Sequence, residues 1–250
     1  MTDHSKETIL VLGCGPAGLL VAHACVLEGW KVHILSEKNP SYIAGAQYLH
    51  SSIPEITDEE PDGELSIIKV GSPKNYSMKV YGGEQQTSWN RLGEGRYGIW
   101  NLRSAYTKLW NMYENDIHNG LVLPRFLEKM SQDYKAIFST IPLRALFPSA
   151  NFKSVSVWIS QETRCSEMTL VYNGDLRDGW YRSSNIFGHA FVEWPSEVEG
   201  ATRILKPTWK DIVNPYVGKL FLFGRYGQWK RDVLVDDAFR EATMWAGGLK

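Results

Sequence analysis

Gly13, Gly15 and Gly18 form a G-x-G-x-x-G run, and a carboxylate, Glu37, follows nineteen residues after the third glycine. In such a run the first glycine permits a tight turn, the second lets backbone approach a pyrophosphate, and the third lets a helix pack closely on a strand. Pro16 and Ala17 would open that helix, whose N–H groups and positive end can receive phosphates. Glu37 would accept hydrogen bonds from a ribose diol, and its charge would repel a 2′-phosphate. This chemistry is that of an unphosphorylated dinucleotide. Cys14 sits inside the run as a small space-filler, because a redox thiol needs a partner thiol. Near the other end, Arg225, Trp229, Lys230 and Arg231 precede a helix start near Val233, a grouping able to hold an anion or stack on an electron-rich ring. His50 and His189 could move protons.

These residues need elements to hold them. Thr8 to Leu12 (TILVL) has the unbroken apolar character of a parallel strand buried on both faces. Residues 16–28 suit a helix ended by Gly29, and Lys31 to Ser36 (KVHILS) restores a strand that ends at Glu37, completing a strand–helix–strand unit. From Asn39 to about Gly95 the pattern dissolves into Pro, Gly, Ser and acidic residues, with a solvated loop at 57–64 and a strand expected at 76–81. Residues 102–113 show helical apolar spacing. Residues 134–142 and 219–223 read as buried strands, 154–159 and 168–172 as half-exposed ones, and 180–194 as a hairpin around Gly188. GRYGQWKR at 224–231 reads as a loop, and 233–245 as a closing helix.

The chain has 250 residues, 43% hydrophobic and 22% charged, which excludes collagen-like, disordered and coiled-coil classes. A net charge of -1 lacks the basic excess of a protein held mainly by nucleic acid phosphates. Three scattered cysteines support neither a disulfide framework nor a metal site. With a polar N-terminus and no long apolar window, the expectation is a cytoplasmic protein without a membrane partner. The 10 Trp and 12 Tyr suggest some flat surfaces for planar ligands, though most should be core. No Walker loop, zinc spacing, nucleophile elbow or kinase signature is present.

Shortly after Glu37, PSYIAGAQYLH at 40–50 contains a second small-residue turn, Ala44-Gly45-Ala46. It resembles the second glycine pair of the FAD-dependent amine oxidase and UDP-galactopyranose mutase superfamily, with Ala44-Gly45 where the family carries Gly-Gly. AIFSTIPL at 136–143 is similar to that family's strand returning to the nucleotide domain, and residues 220–242 are similar to its C-terminal signature. The resemblance implies an α/β fold in which a Rossmann-like FAD-binding domain (1–50, 120–150 and 215–250) carries an inserted substrate domain of antiparallel sheet plus helix (51–119 and 151–214). It implies FAD as cofactor, held by Gly13, Gly15, Pro16, Ala17, Gly18 and Glu37. Lys38, Gly45, Ala46, Gln47 and Tyr48 would line the second turn, and Thr140 the end of the returning strand. Gly224, Arg225, Trp229, Lys230 and Val233 would approach the flavin from the C-terminal signature.

The same resemblance makes Tyr181, Arg182 and Arg225 candidates for catalysis, and His50 joins them as a residue able to move protons. The activity it implies is oxidation of a C–N bond, with hydride transfer to flavin and hydrolysis of the imine. Alternatives are mutase-like chemistry on a nucleotide sugar, a phage FAD-dependent lyase trimming an amino-acid adduct on hypermodified thymine in DNA, and flavin binding without chemistry. The partner is accordingly a small molecule or a modified nucleobase, with DNA the less favoured. No second nucleotide-binding glycine motif is present, so substrate or an outside donor would reduce the flavin.

Overall fold

The run Thr8–Leu12 forms strand β1, buried along its whole length. The structure, a computed structural model, describes residues 7–37, 39, 43, 48–84, 87–211 and 218–250. Lys38, Gly45, Ala46 and Gln47 lie outside the described residues. Helix α1 (Pro16–Leu27) follows, then β2 (Lys31–Ser36), parallel to β1 with Leu10 opposite His33. The same parallel sheet takes β5 (Ile117–Asn119), β6 (Ala136–Ser139) and β12 (Leu220–Leu222), in the order β12-β6-β1-β2-β5. One face carries Leu10, Leu12, Ile137 and Leu220 into a core with Leu127 and Leu146. Helix α1 is buried from Gly18 to Cys25 and packs on the closing helix α7 (Val235–Gly248).

A second sheet runs β11-β7-β10-β9-β8-β3-β4, made of β3 (Gly63–Gly71), β4 (Gly95–Ile99), β7 (Asn151–Ser160), β8 (Thr169–Gly174), β9 (Arg182–Ile186), β10 (His189–Trp194) and β11 (Thr202–Asp211). It is mostly antiparallel, but β3 and β8 pair in parallel, Ser66 opposite Thr169. The hairpin expected around Gly188 forms there, with Phe187 and Gly188 at φ 50° and 75°. Both values are positive, as a two-residue turn matched to strand twist requires.

Two compact units result: residues 1–41, 106–153 and 207–250 with the parallel sheet, and residues 42–105 and 154–206. Among the described residues no helix is long and apolar enough to cross a membrane.

Three local expectations are corrected. Residues 76–81, expected as a strand, belong to helix α2 (Pro73–Tyr81), because Ser72 caps it by accepting from the Asn75 N–H at 3.2 Å, Pro73 sits in its first turn and Gly82 closes it at φ 70°. β8, expected half-exposed, is buried throughout. Leu170 and Tyr172 face the apolar core, while Asn173 on the opposite face donates to Asp178 Oδ2 at 2.7 Å. Residues 224–231, expected as a loop, begin with a short helix α6 (Gly224–Gln228).

Candidate functional site

At the end of β1 the chain turns on Gly13, whose φ is 103°, a value that L side chains rarely adopt. The Gly13 N–H donates to the Leu35 carbonyl at 3.0 Å, which ties the turn to β2. A Cβ on Gly13 would stand 2.7 Å from Thr140 Oγ1, and one on Gly18 would stand 2.0 Å from the Gly13 carbonyl oxygen. Thr140 holds its place by donating to the Leu12 carbonyl through Oγ1 at 3.1 Å and through its N–H at 3.0 Å. The Tyr106 hydroxyl donates to the Cys14 carbonyl at 3.0 Å, and the Cys14 thiol faces the Glu37 carbonyl at 3.4 Å. Cys14 thus fixes the turn against the end of β2, and the Glu37 side chain stands exposed there.

Helix α1 begins with Gly15 as its cap residue and Pro16 in its first turn, and no side chain caps it. Its first N–H groups therefore present positive potential with no capping oxygen from the chain. The first turn of α7 is different. It carries Asp236 and Asp237, and Asp237 Oδ2 accepts from the Leu234 N–H at 2.7 Å. Carboxylates of the chain already compensate that terminus, whereas the start of α1 carries no acidic residue in its first turn. The glycine cradle and the uncapped α1 fit the pyrophosphate of a dinucleotide such as FAD.

The C-terminal candidates occupy the same unit. Gly224, at φ 69°, brings α6 against the glycine turn, since a Cβ there would lie 3.2 Å from Ala17 Cβ. Arg225 donates through Nη2 to the Val233 carbonyl at 3.4 Å, and the Lys230 N–H donates to the Arg225 carbonyl at 3.1 Å. Trp229 is 3% exposed, and its indole N–H donates to the Lys153 carbonyl at 3.0 Å. Its ring packs edge-on to Phe152, with the Arg144 guanidinium 5.7 Å from its centroid. Trp229 thus serves the core of this unit.

In the other unit, Tyr181 and Arg182 are drawn into an ionic cluster that the sequence reading missed. Glu193, 2% exposed, stands opposite Arg182 in the β9–β10 pairing. Its Oε1 accepts from Arg182 Nε at 2.9 Å and from Arg182 Nη2. Its Oε2 accepts from the Tyr181 hydroxyl at 2.6 Å and from Lys206 Nζ at 2.5 Å. Burial alone would push the Glu193 carboxyl up, but Arg182 and Lys206 outweigh it and hold it well below the usual carboxylate range. Burial pushes the Tyr181 hydroxyl well above its ordinary value, so it remains a neutral donor. The missed signal was register: a two-residue turn at Phe187-Gly188 sets Arg182 opposite Glu193.

His50 packs its ring 4.7 Å from that of Tyr48. His189 is exposed, and burial followed by the charge of Arg103 lowers its pKa. Among the described residues no group of three or more His, Cys, Asp or Glu could hold a metal ion.

Fold and cradle define the class: an α/β protein with a dinucleotide-type glycine turn on a parallel sheet and a second, mostly antiparallel sheet. In fold the chain is similar to 2,6-dihydroxypyridine-3-hydroxylase from Arthrobacter nicotinovorans, with TM-score 0.52 and 11% identity, covering 98% of this chain and 84% of that one. It is also similar to a variant of HpxO from Klebsiella pneumoniae complexed with FAD, with TM-score 0.50 and 10% identity, covering 97% and 86%. Neither is an amine oxidase or a mutase by name. No protein-family model and no curated protein matches the sequence.

Glu37→Ala is expected to weaken retention of a bound dinucleotide by about 1.5 to 3 kcal/mol, roughly tenfold to a hundredfold in affinity, through loss of a charge-assisted ribose hydrogen bond. Equilibrium dialysis of the stripped protein against FAD checks it, and unchanged affinity would remove Glu37 from the site.

Proposed function

We propose that the chain binds FAD at the Gly13-to-Gly18 turn and acts as an FAD-dependent oxidoreductase. The observation that carries this reading is the pairing of a helix start without a side-chain cap with two glycines that admit no Cβ, directly after a central parallel strand. The fold likeness to a hydroxylase and to a protein complexed with FAD supports it. Bound FAD would supply two-electron redox chemistry. The chain's own part is binding. The first turn of α1 receives the pyrophosphate, Glu37 takes the ribose, and Ala17 with Gly224 leaves room for backbone to approach.

Within this class, the likeness to a hydroxylase favours oxygen insertion over the C–N oxidation implied by the sequence resemblance. The two differ in what reduces the flavin. Protein purified from an expression host should be yellow, and heat should release FAD. Anaerobic bleaching by a reduced nicotinamide supports hydroxylation, whereas bleaching by an amine with no other donor supports C–N oxidation. A colourless protein that fails to take up added FAD would end the proposal.

A further inference from the structure

The face of the parallel sheet that carries Leu10 also bears a cleft of about 310 Å³, outside the glycine turn. Small-ligand pockets occupy roughly 300–1,000 Å³. Leu10 and Leu35 line the cleft from β1 and β2, and helix α4 (Leu127–Asp133) borders it. From the helix side come Phe126, Lys129, Met130 and Asp133, at the i, i+3, i+4, i+7 spacing of one helical face. Lys129 and Asp133 thus stand one turn apart, both exposed, yet among the described residues neither makes a hydrogen bond or ion pair. A lysine four residues ahead of an acid is the poorer order for pairing within a helix. The remaining wall is aromatic. His118 on β5 packs edge-on to His33 on β2 at 5.5 Å, and His33 edge-on to Tyr134 at 5.7 Å, with the Tyr134 hydroxyl 3.2 Å from His33 Nδ1. Burial, then the charge of His118, lowers the His33 pKa, while Asp116 works the other way. Burial, then Asp133, raises that of Tyr134, so both rings are neutral near neutral pH.

We propose that this cleft binds a free amino acid with an aromatic side chain, its carboxylate on Lys129 and its ammonium on Asp133. A cation and an anion one helical turn apart, with about 5–6 Å between their Cβ atoms, leave a gap that a zwitterionic head can span. The ligand's net charge of zero suits a cleft whose own two charges cancel. Its ring meets Leu10, Leu35 and Met130 as apolar surface and the edges of His33 and Tyr134 as aromatic partners. The terminal residue of a peptide carries only one of the two charges, so it would leave either Lys129 or Asp133 unanswered. Every residue that lines the cleft belongs to the unit of the parallel sheet, and binding needs no flavin.

The test is calorimetric titration of the purified protein with L-phenylalanine and three relatives. L-Phenylalaninamide lacks the carboxylate, N-acetyl-L-phenylalanine lacks the ammonium, and L-alanine lacks the ring. L-Phenylalanine should bind saturably, and the two blocked derivatives at least about fivefold more weakly, the loss expected of one solvent-exposed charge pair. L-Alanine, which buries no ring, should be weaker by at least about tenfold. Lys129 is exposed and methionine forms helix about as readily as lysine, so Lys129→Met should melt near wild type. That variant should lose at least about fivefold in affinity for L-phenylalanine and bind L-phenylalaninamide no worse than wild type does, since the amide makes no use of Lys129. Four results would each overturn the proposal: no saturable binding of L-phenylalanine, equal binding of either blocked derivative, equal binding of L-alanine, or wild-type L-phenylalanine affinity in Lys129→Met. The ligand comparisons need no variant and stand even if Lys129→Met fails to fold.

Discussion

Gly18→Val should melt well below wild type and purify without flavin. Any Cβ at this position falls 2.0 Å from the Gly13 carbonyl oxygen and 2.7 Å from its carbon, both backbone atoms of the turn itself. Helix α1 can relieve the clash only by moving off β1, and it is buried from Gly18 to Cys25, so movement opens the core. Overpacking of this severity costs about 3 kcal/mol, which for a chain of this size lowers Tm by roughly 10 °C. The displacement also moves the helix start away from the phosphates. Gly29→Ala is the control: φ there is 81°, but nothing lies within 4 Å of its Cβ, so it should cost only backbone strain and leave the colour intact. Thermal unfolding and the visible spectrum decide. A yellow Gly18→Val protein with wild-type Tm would mean that helix and strand are not packed as described.

The second large effect belongs to Glu193→Ala. Removing this carboxylate leaves Arg182 and Lys206 close together in mostly buried surroundings without their shared counter-ion. Breaking a buried pair from one side costs about 3–5 kcal/mol. The same group sets a pH dependence. Its folded pKa lies below that of the unfolded chain, so its stabilisation is complete above the unfolded value and is lost as pH falls through the folded one. Unfolding free energy of the wild type should therefore decline on acidification below about pH 4, and that of Glu193→Gln less steeply. Denaturant titrations at several pH values measure both slopes. Parallel slopes, or a loss under about 1 kcal/mol in Glu193→Ala, would show that the cluster does not stabilise this unit.

Residues 8–37 were legible because each local rule agreed there. An unbroken apolar run, three spaced glycines, Pro16 and Gly29 all specify strand, turn and helix without help from distant parts of the chain. Residues 76–81 misled because YSMKVY carries β-forming residues, while the cue that decides it, Ser72 followed by Pro73, lies just upstream. Trp229 could be seen beside basic residues, but only the fold could show that Phe152 and the Lys153 carbonyl occupy it. Glu193 could have been found. It is an acid on the inward side of an apolar strand, and hairpin register alone puts it opposite Arg182. Lys206, on the strand β11 beyond, offered no such arithmetic.

The order of strands in the parallel sheet also dictates a schedule for synthesis. β1 and β2 emerge from the ribosome early, β6 must wait for residue 139, and β12 is made only at 220–222, yet β12 pairs directly with β6. A nascent chain therefore carries an open sheet edge at β6 while residues 140–219 are made. Such an edge is a site for mispairing with other chains, and the entropy of closing so long a loop slows its repair. Expression should accordingly respond strongly to chaperone supply and lower temperature, and shortening the chain before β12 should give aggregates rather than a smaller soluble domain.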